Sequence, residues 1–147
     1  MMTSAVNHAN TNVGGSKGKG LHVALWVVQG LLGAAFLAAG LMKATTPIEQ
    51  LQANMPWVSG AMGQLVRFIG AAEILGGLGL ILPAATRIKP SLTPLAALGL
   101  TTVMVLASIT HVARGEFGAI GVNVVLGGLA AFVAWGRFKK APISPRA

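Results

Sequence analysis

The stretch LVRFIGAAEILGGLGLIL, residues 65–82, decides how the whole chain is read. Its 18 residues are apolar or glycine except for Arg67 near the start and Glu73 in the interior. At 1.5 Å per residue a helix of this length crosses most of a ~30 Å hydrocarbon core. Glu73 then lies ~12 Å below Leu65, a little short of the midplane, where an ionised carboxylate costs at least ~2.5 kcal/mol. The chain holds only three acidic residues, and one of them stands where it is most expensive. A neighbouring cation must neutralise Glu73, or burial must raise its pKa and keep it protonated. Either arrangement turns it toward protein rather than lipid.

Three further apolar spans flank this one, at 21–42, 91–112 and 117–135. Their lengths of 22, 22 and 19 residues bracket the ~20 needed for a crossing. Composition agrees: 54% hydrophobic and 10% charged residues, with a mean hydropathy of +0.71, against about 25% charged in soluble domains. The expected fold is therefore an all-α, four-helix transmembrane bundle spanning 21–140. A polar tail over 1–20 is expected to be disordered and the 141–147 tail to be flexible. Lys17 and Lys19 precede a stretch too long for a signal-peptide core, so the first helix is read as retained. Pro83 is expected to close the second span and Pro90 to precede the third.

The net charge of +8 is spread between the spans rather than gathered in a patch, which reads as membrane-flanking charge and not as a nucleic-acid surface. Lys17, Lys19, Arg87, Lys89, Arg137, Lys139, Lys140 and Arg146 fall on one side; Lys43, Arg67 and Arg114 fall on the other. This asymmetry places both termini in the cytoplasm. Without cysteine, the chain can build no disulfide, thiolate site or haem attachment. One Glu, one His and one Asn make too weak a set for a metal, and no phosphate or dinucleotide motif is present.

Lys43, Arg67, Glu73, His111 and Asn123 come from four spans and share the outer half of the bilayer, which marks a candidate site. Glu73 and His111 are the candidate proton-handling, catalytic residues. Lys43, Arg67 and Asn123 are the candidate substrate- or cofactor-binding groups. Lys43 or His111 is the expected partner of Glu73, since Arg67 lies about 120° around the same helix; Arg67 can equally snorkel to the interface.

Small residues mark close packing in lipid. They predict contact faces at Gly30, Ala34 and Ala38; at Gly70, Glu73 and Gly77; and at Asn123, Gly127 and Ala131. On the third span, Ala97, Thr101, Met104, Ser108 and His111 form a heptad-like stripe. Thr101, Thr102, Ser108 and Thr110 are expected to bond back to their own helix. In the first loop, Thr46, Pro47 and Glu49 fit a capping box that starts a short helix, with Ile48, Leu51 and Met55 on one face. That helix is expected to lie on the outer membrane surface beside the site mouth, as a lid.

The order Phe36-x-x-x-Gly40-x-x-Lys43, then Arg67-Phe-Ile-Gly70-Ala-Ala-Glu73, then His111 at the end of the third span resembles the DoxX-like membrane proteins. The likeness covers roughly Leu21 to Trp135. It implies a four-helix, multi-pass protein of the bacterial inner membrane, and carries the family's polar positions onto Lys43, Arg67, Glu73 and His111. By the same resemblance, the chain is a membrane subunit or partner of an oxidoreductase system. The missing cysteines then require an external carrier such as a quinone, with no covalently bound cofactor. Two other readings stand beside this one: a small proton, cation or solute carrier, and a non-catalytic interaction protein. Partners are the lipid bilayer, oxidoreductase proteins and, in principle, further copies of the chain.

Overall fold

The structure, a computed structural model, describes residues 13–147. Helix α1 (Val13–Thr45) is followed by the short α2 (Ile48–Asn54) and by α3 (Ala61–Thr86). Then come α4 (Leu92–Arg114), a 3₁₀ turn (Phe117–Ala119) and α5 (Ile120–Trp135), which runs into one π-helical turn (Gly136–Lys140). There is no strand among the described residues. Four helical stretches, Gly18–Thr45, Ala61–Thr86, Leu92–Arg114 and Phe117–Lys140, are long and apolar enough to cross a membrane. Each extends the span expected from sequence or matches it within two residues. The 1–12 part of the expected disordered tail lies outside the described residues, whereas 13–20 already belong to α1.

The four long helices alternate in direction. Helix α1 packs most extensively on α3, α3 on α4 and α4 on α5, while α5 closes more lightly back onto α1. Large apolar side chains such as Val27, Leu31, Phe68, Leu75, Leu98 and Val105 are exposed on the outside, as a lipid-facing surface requires. The inner core is formed by Leu25, Leu32, Phe36, Leu80, Leu100 and Met104, with Ala97, Ala130 and Val133 as close-packing small partners.

Glycine sets the α1–α3 approach. A Cβ on Gly40 would lie 2.6 Å from the Gly70 carbonyl oxygen, and one on Gly77 would lie 3.0 Å from that of Gly33. Both helices thus carry glycines seven residues apart in antiparallel register. The expected face of α3, Gly70, Glu73 and Gly77, is buried as anticipated. The α1 face is not: Gly30, Ala34 and Ala38 are exposed, and the buried stripe is Leu25, Gln29, Leu32, Gly33, Phe36 and Gly40. Lipid is as apolar as a helix neighbour, so alanine is cheap on either side. Large residues interleaved with the two contacting glycines decide the face. On α5, Gly127 is buried and Asn123 partly so, but Ala130 rather than Ala131 completes the stripe.

Prolines leave two carbonyls without their helical donors, and other helices supply replacements. Pro83 does not end α3, which continues to Thr86. Its missing N–H would have bonded the Gly79 carbonyl, and the buried Thr93 hydroxyl from α4 donates to that oxygen at 3.1 Å. Pro47 likewise has no N–H for the Lys43 carbonyl, and Arg67 Nη1 donates there at 2.6 Å. Side chains repair broken ladders in this way where no water is available.

Helix α2 forms where expected, but without the capping box. Pro47 holds the N-cap position and no side chain caps the helix. Its Ile48, Leu51 and Met55 face packs on Val58, Val66 and Trp57, which ties the helix to the start of α3. The 141–147 segment meets the turn after α3: Arg87 donates through Nε to the Ser144 carbonyl at 2.9 Å, and Arg146 N–H donates to the Arg87 carbonyl at 3.0 Å.

Candidate functional site

Glu73 is 3% exposed in its side chain, and both of its oxygens accept from Lys43 Nζ, at 2.9 and 2.8 Å. The geometry follows from the close α1–α3 contact. Gly40 and Gly70 bring the backbones together; in this antiparallel register Lys43 lies level with Gly70, where a Cβ on the glycine would be 2.9 Å from its own Cβ, and its long side chain reaches along the seam to Glu73. Arg67 completes the junction by holding the Lys43 carbonyl. Lys43, Arg67 and Glu73 are therefore brought together as the sequence suggested. Lys43 is the partner of Glu73, and Arg67 bonds backbone rather than carboxylate.

Lys43 also forms part of the wall of a cavity of about 380 Å³ between α3, α4 and the segment after α2. An ammonium carries three donors; two are used on Glu73, which leaves one for this space. Most of the wall is apolar, including Phe68, Ile69, Val103 and Leu106. Trp57, His111 and Arg114 supply the remaining polar rim. The Arg114 guanidinium carbon lies 4.5 Å from the centroid of the Trp57 ring, a cation–π contact that links the end of α4 to the α2 segment.

His111 does not reach Glu73. Its Nδ1 lies 2.7 Å from Glu116 Oε2. A carboxylate only accepts, so Nδ1 carries the proton, and in the neutral ring Nε2 is left as an acceptor. The turn that creates this pair is a Schellman motif. Gly115 adopts φ 72°, its N–H donates to the Val112 carbonyl, and Glu116 N–H donates to that of His111 at 2.9 Å. Gly115 following a helix that ends in His111 and Arg114 was the readable signal, because it predicts a chain reversal that returns Glu116 to His111.

Asn123 stands apart from both groups. It lines a groove between α4 and α5 with Thr101, Ser108 and Gly127, and its buried Nδ2 has no partner among the described residues. Thr101, Thr102, Ser108 and Thr110 bond the carbonyls four residues back, at 2.8–3.0 Å, as expected. The five polar residues therefore divide into an α1–α3 ion-pair junction, a His111–Glu116 pair across the cavity, and a separate asparagine.

A second polar cluster, which sequence reasoning placed among the flanking charges, lies at the opposite end of the bundle. Arg137 is 2% exposed. Its Nε donates to Gln29 Oε1 at 2.6 Å, and its Nη1 lies 3.0 Å from both His22 Nδ1 and the Ala141 carbonyl. Gln29 is also fully buried and donates to the Leu80 carbonyl at 2.7 Å. Gln29 four residues past Leu25, on the stripe of large residues, was the available hint. Among the described residues no group of three His, Cys, Asp or Glu side chains could hold a metal.

Four apolar helices, two of them joined by a Lys–Glu pair whose carboxylate is buried, define a small multi-pass membrane protein with a polar helix junction. The chain matches the DoxX-like family over residues 27–133, and it belongs to that family. No curated protein and no solved structure matches it.

Proposed function

We propose that the 380 Å³ cavity receives a small lipophilic molecule with a polar head group, of the quinone class, from the bilayer. In this reading the chain serves as a membrane subunit or partner of an oxidoreductase system in the bacterial inner membrane, with its termini in the cytoplasm. The observation that carries it is the pairing of an apolar wall with two complementary polar groups. Lys43 has one donor left beyond its bonds to Glu73, and His111 has one free ring nitrogen beyond its bond to Glu116.

A quinone head fits such a donor set, because carbonyl oxygens accept and the reduced hydroxyls donate. When bound, a quinone supplies two-electron, two-proton redox chemistry. Lys43 would orient one oxygen and His111 would accept or return a proton at Nε2, with Glu116 fixing the ring. Glu73 would act by holding the Lys43 amino group in place, as a positioning residue. A carrier that binds cations at Glu73 is disfavoured, since both carboxylate oxygens are already taken by Lys43.

The test uses Trp57, which lines the cavity. With Trp26 and Trp135 replaced by Phe, a short-chain quinone added to the protein in phosphatidylcholine nanodiscs should quench Trp57 fluorescence saturably. Ala107 also lines the cavity, and Ala107→Phe should abolish the saturable part by filling the space. Quenching that rises linearly with quinone and ignores Ala107→Phe would refute the reading.

A further inference from the structure

The chain contains three acidic residues, and all lie away from the end of the bundle that carries the 87–91 loop and the 141–147 segment. Glu49 is in α2, Glu73 is paired with Lys43, and Glu116 is paired with His111. At that end, Arg137 is buried as a guanidinium whose hydrogen-bond partners are an amide, an imidazole and a carbonyl, none of them an anion. Its remaining amino group, Nη2, is buried with no partner among the described residues. A buried cation normally pairs with an anion, and among the described residues no Asp or Glu side chain pairs with Arg137.

Arg137 forms part of the wall of an open cavity of about 330 Å³ lined by the 87–91 loop, the start of α4 and the 138–145 segment. Lys89 and Ser91 line the same space, and Ser91 holds the N-cap position of α4 without using its side chain as a cap. The positive end of the α4 dipole points to this wall. Phe138 and Ile143 supply apolar surface beside it, and the neighbouring Leu92 is exposed on the lipid-facing side.

We propose that this cavity binds an anionic phosphate group, with Arg137 and Lys89 as its cationic contacts and Ser91 as a hydroxyl donor. The missing counter-charge is thereby supplied from outside the chain. Acyl chains of a phospholipid would continue along Leu92 and Phe138, and a free phosphate would use the polar contacts alone. Guanidinium and ammonium groups recognise phosphate through charge-assisted hydrogen bonds.

The full chain in phosphatidylcholine nanodiscs provides the test, with dioleoylphosphatidylglycerol and inorganic phosphate as probes. Native mass spectrometry and thermal unfolding report binding. One phosphatidylglycerol should be retained on the order of tenfold more tightly than phosphatidylcholine. Lys89→Gln and Arg137→Gln should each remove that preference. Lys89 is exposed, so its variant keeps the test valid if Arg137→Gln fails to fold. Lys139→Gln, an exposed charge outside the cavity wall, should change nothing. Stabilisation by phosphatidylglycerol alone identifies a lipid headgroup as the source; equal stabilisation by millimolar inorganic phosphate identifies the free anion. The proposal is overturned if neither probe has an effect. It is equally overturned if Lys139→Gln costs as much as Lys89→Gln, which would mean diffuse surface charge.

Discussion

Removing the charge from Glu73 should destabilise the bundle, and restoring neutrality on both sides should bring stability back. At 2.8 Å and an effective dielectric of about 20, the Lys43–Glu73 attraction is about 6 kcal/mol before desolvation. Desolvation of two ions offsets most of that, so the pair as a whole contributes little net stability. Breaking it is different, because Glu73→Gln leaves the Lys43 ammonium without its anion. Removing one partner of a buried pair costs about 3–5 kcal/mol. The Lys43 side chain is 21% exposed and can swing toward the cavity mouth, which favours the lower end, about 3 kcal/mol. The double variant Lys43→Met, Glu73→Met carries no stranded charge and should unfold within about 1 kcal/mol of the parent. Reversible unfolding in mixed detergent micelles, followed by helical circular dichroism, measures all three proteins. If single and double variants are destabilised equally, the two residues are not coupled and the ion pair is not what joins α1 to α3.

Gly40→Ala should cost about 1–3 kcal/mol in the same assay, because its Cβ meets Gly70 backbone. Gly30→Ala, with open space around it, should be neutral or stabilising by up to about 1 kcal/mol; equal effects would show that the contact face is misassigned. Thr93→Val keeps shape but strips the Gly79 carbonyl of its donor, for an expected loss of about 1–2 kcal/mol that Thr93→Ser restores. A reporter fused after Ala147 should be active only if it matures in the cytoplasm; activity restricted to the periplasm would reverse the proposed topology.

Much of the fold could be read from hydropathy alone, because span length is fixed by bilayer thickness and each span here is nearly free of charge. Glu73 could be read for the same reason: a carboxylate at that depth must face protein, and Gly70 and Gly77 on its face say which side is packed. Contact faces were harder where lipid and protein make similar demands. Gly30, Ala34 and Ala38 look like an interface by size, yet alanine facing lipid costs nothing, and the true stripe of α1 mixes Phe36 and Leu32 with glycines. The polar pairings depended on those faces. Once α1 turns Gly40 toward α3, Lys43 must meet Glu73, while His111, at the far end of α4, is captured locally by Glu116 through the Gly115 turn.

The same dependence explains why the partners of the arginines were not legible in the sequence. By charge, Arg67 and Arg137 are flanking residues, one at each end of the bundle. Their sequence neighbours do not show that Pro47 leaves the Lys43 carbonyl without a donor, or that Gln29 lies buried on the same face as Leu25. Each arginine is placed by a vacancy on another helix. In a chain so poor in polar groups, the backbone takes the available donors first. Arg67 and Thr93 are both committed to carbonyls freed by proline, and Glu73 is committed to Lys43. What remains uncommitted among the described residues is therefore informative: one proton of Lys43 and one nitrogen of His111 at the first cavity, the amide nitrogen of Asn123 beside α4, and the buried Nη2 of Arg137, a residue of the second cavity's wall. Those groups, rather than the most expensive residue in the membrane, are the ones that the chain's own backbone and side chains leave with hydrogen-bonding capacity to spare.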